Sequence, residues 1–230
     1  MILDTEHEVR SNALEQLGPL ARILSDTFND KQLLTTIMNS AKDLLKDQSH
    51  HVRNSLISVL SKNLDYFMDD FIKVQIPDMM IAMLHQEQSI LPTDEAKKKQ
   101  LDENNKVKLT TIKNLFVFLP ALGVVAFKEK FLPHLKHLVS NKNWKIRNAI
   151  LELNSNLIGS RQLTDDLIKE VIELNLSLKD DHAYCIRKSM IENLVANYNS
   201  QNSAVLDGYI KDLLTYWSNS TNYIFRVSAV

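Results

Sequence analysis

The sequence predicts an all-α fold made of stacked antiparallel helix pairs, and three observations carry that prediction. A two-residue signature, an aliphatic or aromatic residue followed by a base, recurs as Val9-Arg10, Val52-Arg53, Val107-Lys108, Ile146-Arg147, Ile186-Arg187 and Phe225-Arg226. The steps between its copies are 43, 55, 39, 40 and 39 residues. A period near forty marks a repeat architecture, in which each unit buries its apolar face against its neighbours. Four glycines in 230 residues and no strand-like alternation complete the case against a sheet.

Six residues before each base stand Asp4, Asp47, Asp102, Asn141, Asp181 and Ser220. Each has a short side-chain oxygen able to accept the free N–H groups of a helix start, so each signature should lie in the first turn of a helix. Apolar residues then follow at helical spacing, as in Val52, Leu56, Val59, Leu60 and Leu64, or Ile146, Ala149, Ile150, Leu153 and Leu157. These second helices are expected near 6–24, 50–64, 105–119, 143–158, 182–198 and 222–230.

The first helices are expected near 30–46, 67–85, 124–140, 161–178 and 203–218. Two of them hold an internal proline, Pro77 in FIKVQIPDMMIAML and Pro133 in FKEKFLPHLKHLV, which removes a backbone donor and bends the axis. A first helix bent by proline, a short turn holding Asp, and a second helix opening on Val-Arg is the HEAT-repeat pattern. The expected architecture is therefore a single HEAT-repeat solenoid over 1–230, a right-handed superhelix of about five complete repeats with partial ends. The step of 55 residues contains HQEQSILPTDEAKKKQLDENN, polar, charged and about 15 residues longer than its counterparts. Lacking an apolar stripe, residues 86–104 are expected to form an insertion loop within one repeat. The chain opens at the turn of a repeat and stops partway through a second helix, as a segment of a longer protein would.

Net charge is −1, with 27 basic and 28 acidic residues mixed along the length, so no basic face for nucleic acid is expected. The one cysteine, Cys185, allows no internal disulfide and suits a reducing compartment. The N-terminus is acidic, unlike a secretory signal, and the longest apolar stretch, Leu115 to Phe127, is broken by Pro120 and Gly123. A cytoplasmic location, with a nuclear one as the alternative, follows as the expectation.

No phosphate-cradling glycine loop, GxSxG elbow or HExxH motif occurs, and the chain is not expected to be an enzyme or to hold a cofactor. His50-His51 and His134 with His137 have no third or fourth ligand at suitable spacing, so no metal is expected. His182 stands three residues before Cys185, but that position also suits the small residue of a repeat's first turn. The turn residues Asp4, Asp47 and Asp181 and the bases Arg10, Arg53, Arg147, Arg187 and Arg226 are read as a structural ladder, each base reaching one repeat onward. Trp144, Tyr184 and Tyr223 precede the last three bases by three residues each. Aromatics at equivalent turns would form one ridge and serve as binding anchors; the competing reading has them cap the core at the repeat edge.

DTEHEVRSNA, FLPHLKHLVSNKNWKIRNAILE, DDHAYCIRKSMIENL and NYIFR carry a closer likeness. Over essentially its whole length the chain resembles the scaffolding A subunits of protein phosphatase 2A, in their later repeats. The resemblance implies a non-catalytic horseshoe that binds a serine/threonine phosphatase catalytic subunit on its turn ridge, with a regulatory B-type subunit as a further partner. Trp144 and Lys145 match a Trp-Arg pair of that ridge, Tyr184 matches a contacting tyrosine, and Tyr223 falls in the equivalent turn. His182 and Asn222, in the same turns, complete the implied site. Lys145 keeps the charge of the family's arginine but loses its planar fork. The insertion is absent from the family's repeats, and the family's last two repeats have no counterpart here. Two other readings remain: another HEAT adaptor, of phosphatase 4 regulatory or transport-receptor type, and a HEAT-like DNA glycosylase, against which the near-neutral charge argues.

Overall fold

A computed structural model describes residues 4–28, 30–67, 69–85, 93–201 and 204–226, and among these no strand occurs. Its helices are α1 (His7–Glu15), α2 (Leu17–Asp26), α3 (Lys31–Ser40), α4 (His50–Lys62), α5 (Ile76–Leu84), α6 (Asp94–Leu122), α7 (Val124–Leu138), α8 (Trp144–Gly159), α9 (Asp165–Leu176), α10 (Tyr184–Gln201), α11 (Ala204–Ser218) and α12 (Tyr223–Arg226). The chain divides into two compact units, Met1–His134 and Leu135–Val230, with the division inside α7.

In the first unit α4 packs between α1 and α6. The second helices of successive repeats thus stack on one another, as a helical repeat solenoid requires. Val52, Leu56 and Leu60, one helical turn apart, are fully buried, as are Val107, Ile112 and Leu115 on α6. Each such side chain contributes about 1.5–3 kcal/mol relative to exposure. In the second unit α8 packs on α9 and α10, and α10 on α11. Ile146, Ile150 and Leu157 and then Ile186, Met190 and Leu194 are fully buried at the same spacing.

Pro77 distorts its helix by a specific route. The backbone widens to a π turn over Phe71–Gln75, where the Ile76 N–H donates to the Phe71 carbonyl five residues back. Widening there draws the preceding carbonyls away from the proline ring, and the chain resumes as α5 with Pro77 in its first turn. At the end of α6, Gly123 takes φ +80° and donates its N–H to the Leu119 carbonyl. That left-handed backbone strains any side chain, and it ends α6 one residue before α7 begins.

Three expectations are corrected. The helix expected over 6–24 breaks at Gln16 into α1 and α2. Within 86–104, residues 86–92 lie outside the described ones, but 94–104 are helical and not loop. Thr93 Oγ1 accepts the Ala96 N–H at 3.1 Å, and Asp94 and Glu95 in the first turn favour the helix's positive end. The helix gains no packed face until Asn104, because its opening turns are largely solvent-exposed. Asp102, expected to cap a helix start, therefore lies exposed in the interior of α6, and the repeat that carries it has no turn at that point.

Candidate functional site

Five turns share one local design. The side-chain oxygen of Asp4, Asp47, Asn141, Asp181 or Ser220 accepts the backbone N–H two residues on, at 2.8–3.2 Å. Such a local bond fixes the turn before the helix begins. The base six residues after it then clamps the turn from the other side. Arg10 Nη1 donates to the carbonyls of Asp4 and Thr5 at 2.7 and 2.9 Å. Arg147 does so to Asn141 and Lys142, Arg226 to Ser220 and Thr221, Arg53 to Asp47 and Gln48, and Arg187 to Asp181. The signature base thus satisfies carbonyls of its own turn, a role the spacing alone did not specify.

The other edge of the guanidinium reaches forward to the next repeat. Arg10 Nε and Nη2 grip Asp47 at 2.7 and 2.8 Å, and Arg147 grips Asp181 with the same two nitrogens at 2.5 and 2.8 Å. In both pairs the arginine side chain is 14% exposed and the carboxylate 6%. Geometry of this kind, two parallel charge-assisted bonds largely out of water, is the strong form of an ion pair. Arg53 instead meets the Asn104 amide oxygen at 3.2 Å, and Arg187, fully buried, meets the Ile224 carbonyl at 3.4 Å with the Phe225 ring 5.0 Å away.

Burial alone would push the Asp47 carboxyl up, but hydrogen bonds from Arg10 and from the Ser49 N–H outweigh it and hold the group below the usual carboxylate range. The unfolded chain regains a value near 3.9. It therefore takes up a proton at a higher pH than the folded chain does. The contribution of Asp47 is complete above its unfolded value and is lost as pH falls through its folded one. Asp47→Asn should lower stability at pH 7 by about 1–3 kcal/mol. It should also flatten the decline below about pH 4, read from urea midpoints between pH 3 and 7.

The clamped turns of the second unit present the aromatic residues. Trp144, Tyr184 and Tyr223 are each the first residue of their helix, α8, α10 and α12, and are 45%, 49% and 66% exposed. Asn143 and Asn222 accept the N–H groups of Lys145 and Ile224 at 3.0 Å, fixing those helix starts. The Arg147–Asp181 grip and the Arg187–Ile224 bond hold the three turns side by side, so the aromatics follow one another along one edge. Lys145, His182 and Asn222 are exposed in the same turns, as is Cys185. About half of Trp144 and Tyr184 and two thirds of Tyr223 are open to solvent, so each ring offers area to a partner while its remainder rests on the repeat edge.

Two features had no sequence counterpart. Asn104 takes the place of a ladder carboxylate, and its position in the enlarged step hid it. Trp217, fully buried, donates its indole N–H to the Lys179 carbonyl at 3.0 Å, beside Tyr216, whose hydroxyl donates to Asp180 at 2.9 Å. An aromatic pair just before a turn was the available signal. Among the described residues no group of three or more His, Cys, Asp or Glu could hold a metal, although His85 Nε2 and His134 Nδ1 lie 2.6 Å apart. Among them too, no helix is long and apolar enough to cross a membrane.

With this geometry in place, residues 1–65 match the model of the PPP2R1A-like HEAT repeat. Over those residues, fewer than half of the chain, the sequence is similar to HEAT repeats. No curated protein matches the chain. Two solved structures of engineered proteins, both Northeast Structural Genomics Consortium targets, are similar at 16% identity, with TM-scores of 0.46 and 0.47. The alignments cover 99% of this chain and 90% and 92% of theirs. Helix-pair stacking in each unit and the repeat match over residues 1–65 make the fold an all-α helical repeat solenoid.

Proposed function

We propose that the chain is a non-catalytic scaffold that binds the catalytic subunit of a 2A-type serine/threonine phosphatase, and helps to assemble its holoenzyme with a regulatory B-type subunit. The observation that carries this reading is the edge of exposed aromatics, Trp144, Tyr184 and Tyr223, each opening a helix whose turn is clamped in place. Large rings held on a rigid frame bury area on binding with little ordering cost, which is what makes aromatics the usual anchors of an interface. Lys145 beside Trp144 adds a mobile positive charge that suits an acidic partner surface. The PPP2R1A-like match of residues 1–65 supports the same reading.

The test is the affinity of the chain for the isolated catalytic subunit, compared with the variant carrying Trp144→Ala and Tyr184→Ala. Two anchors of about 2 kcal/mol each, not fully additive, should weaken binding about 100-fold or more. Thermal stability should fall less than for a fully buried ring, because Trp144 and Tyr184 are 45% and 49% exposed. Equal, tight binding by both proteins would remove the aromatic edge from the interface, and no binding by the wild-type chain would remove the function.

A further inference from the structure

Among the described residues the ladder lacks a carboxylate at Arg187, which meets the Ile224 carbonyl, and at Arg53, where a buried donor is left unfilled. At Arg10 and at Arg147 the Nε and Nη2 atoms hold two carboxylate oxygens. At Arg53 the Nη2 atom has the Asn104 amide oxygen, and the Nε atom, buried, has no hydrogen-bond partner. Arg53 is 3% exposed. A guanidinium so deeply buried normally faces a carboxylate, since desolvation of an unpaired charge is costly. Glu103 and Asp47 act on it only through space, and burial pulls its pKa below the ordinary arginine value. At Arg10, whose fork is filled, the hydrogen bond to Asp47 moves the value the other way.

Arg53 also lines a pocket of about 410 Å³, together with Lys42, Lys46, Gln100, Asn104 and Asp43. Asp47, on the same wall, is already held by Arg10. Two lysines and an arginine therefore line the pocket with two carboxylates, Asp43 and Asp47. The Gln100 amide donates to Asn104 Oδ1 at 3.0 Å, so it offers that oxygen an alternative partner if the arginine is taken by something else.

We propose that this pocket binds an oxyanion, a carboxylate or a phosphate, whose two oxygens occupy the Nε and Nη2 fork of Arg53 as Asp47 and Asp181 occupy the forks of Arg10 and Arg147. The Asn104 side chain turns towards Gln100 to admit it, and Lys42 and Lys46 supply further charge. The oxyanion is presented either free in solution or by an acidic side chain of a peptide, and the chemistry of recognition is the same.

Asn104→Asp supplies the missing carboxylate from within, and so should close the site without harming the fold. Thermal unfolding of the full chain is followed in inorganic phosphate against chloride at equal ionic strength, and separately with a short Glu-containing peptide against its Gln counterpart. Wild type should show a saturable rise of about 2–4 °C in at least one arm. The Asn104→Asp variant should start at a higher Tm and lose that rise. Arg53→Gln should lose it too, and where that variant does not fold Asn104→Asp decides alone. Phosphate also stabilises proteins by exclusion from their surface, an unsaturable effect common to all variants, so only the difference counts. A rise with phosphate alone assigns a free oxyanion, and a rise with the Glu peptide alone assigns a side-chain carboxylate. No difference between wild type and Asn104→Asp in either arm overturns the proposal.

Discussion

Replacing Arg147 with alanine is expected to remove about 2–4 kcal/mol of unfolding free energy, measured in urea at pH 7. The side chain makes four bonds, two to the Asp181 carboxylate and one each to the Asn141 and Lys142 carbonyls. Truncation therefore leaves a carboxylate that is 6% exposed with only the Ala183 N–H as a partner, and frees two turn carbonyls. An uncompensated charge in that setting is destabilising in its own right. The exposed pair Lys211–Asp207, at 72% and 39%, is a control whose removal should change stability far less. Arg147→Lys keeps the charge but not the fork, and should recover part of the loss. A double-mutant cycle with Asp181→Ala should give a coupling of at least about 1 kcal/mol that changes little with salt. A loss at Arg147→Ala within about 0.5 kcal/mol of wild type, as for an ordinary surface residue, would mean that the clamp is decorative.

The same pair shows what the sequence could reveal and where it stopped. A base six residues after a short polar side chain is a local pattern, and local patterns set local structure: helix starts at His50, Trp144, Tyr184 and Tyr223 lie within two residues of their expected places. The spacing also marked the carboxylates, but it could not say that the base would first satisfy carbonyls of its own turn, because backbone acceptors leave no trace in side-chain identity. The sequence of residues 94–104 suggests a loop for a physical reason. A surface helix carried by capping at Thr93 and by i, i+3 pairs such as Lys97–Asp94 has no apolar stripe to detect. Once that segment is helical, Asp102 loses its turn and Asn104 inherits the contact with Arg53. A register change in one element thus reassigns a rung in another, and no windowed reading of apolar period follows that. Trp144, Tyr184 and Tyr223 were legible because side-chain type at a repeat-equivalent turn is a one-residue signal. Their exposure was not, since it depends on how far α8, α10 and α12 leave the turns uncovered.

Trp217→Ala should have a still larger effect, about 3–5 kcal/mol. The ring is fully buried, so truncation opens a large cavity, and the Lys179 carbonyl loses the indole N–H that it accepts at 3.0 Å. Trp217→Phe keeps most of the apolar volume and removes the donor, and should fall well short of the alanine loss. The position matters as much as the size. Lys179 holds its ammonium 4.2 Å from the Tyr216 ring, Asp180 accepts from Tyr216, and Asp181 is the carboxylate gripped by Arg147. α11 therefore fastens the turn that presents His182 and Tyr184, one repeat earlier in the chain. In a solenoid, stability is held in nearest-neighbour interfaces, so the damage should spread by about one repeat and then stop. Amide hydrogen exchange in Trp217→Ala should accelerate in α11 and across the turn from Ser177 to Tyr184, while Ile150 to Leu157 of α8 keep their protection. Equal acceleration throughout α8 would show that the second unit opens as one cooperative block, and the turns could then no longer be treated as separately fastened.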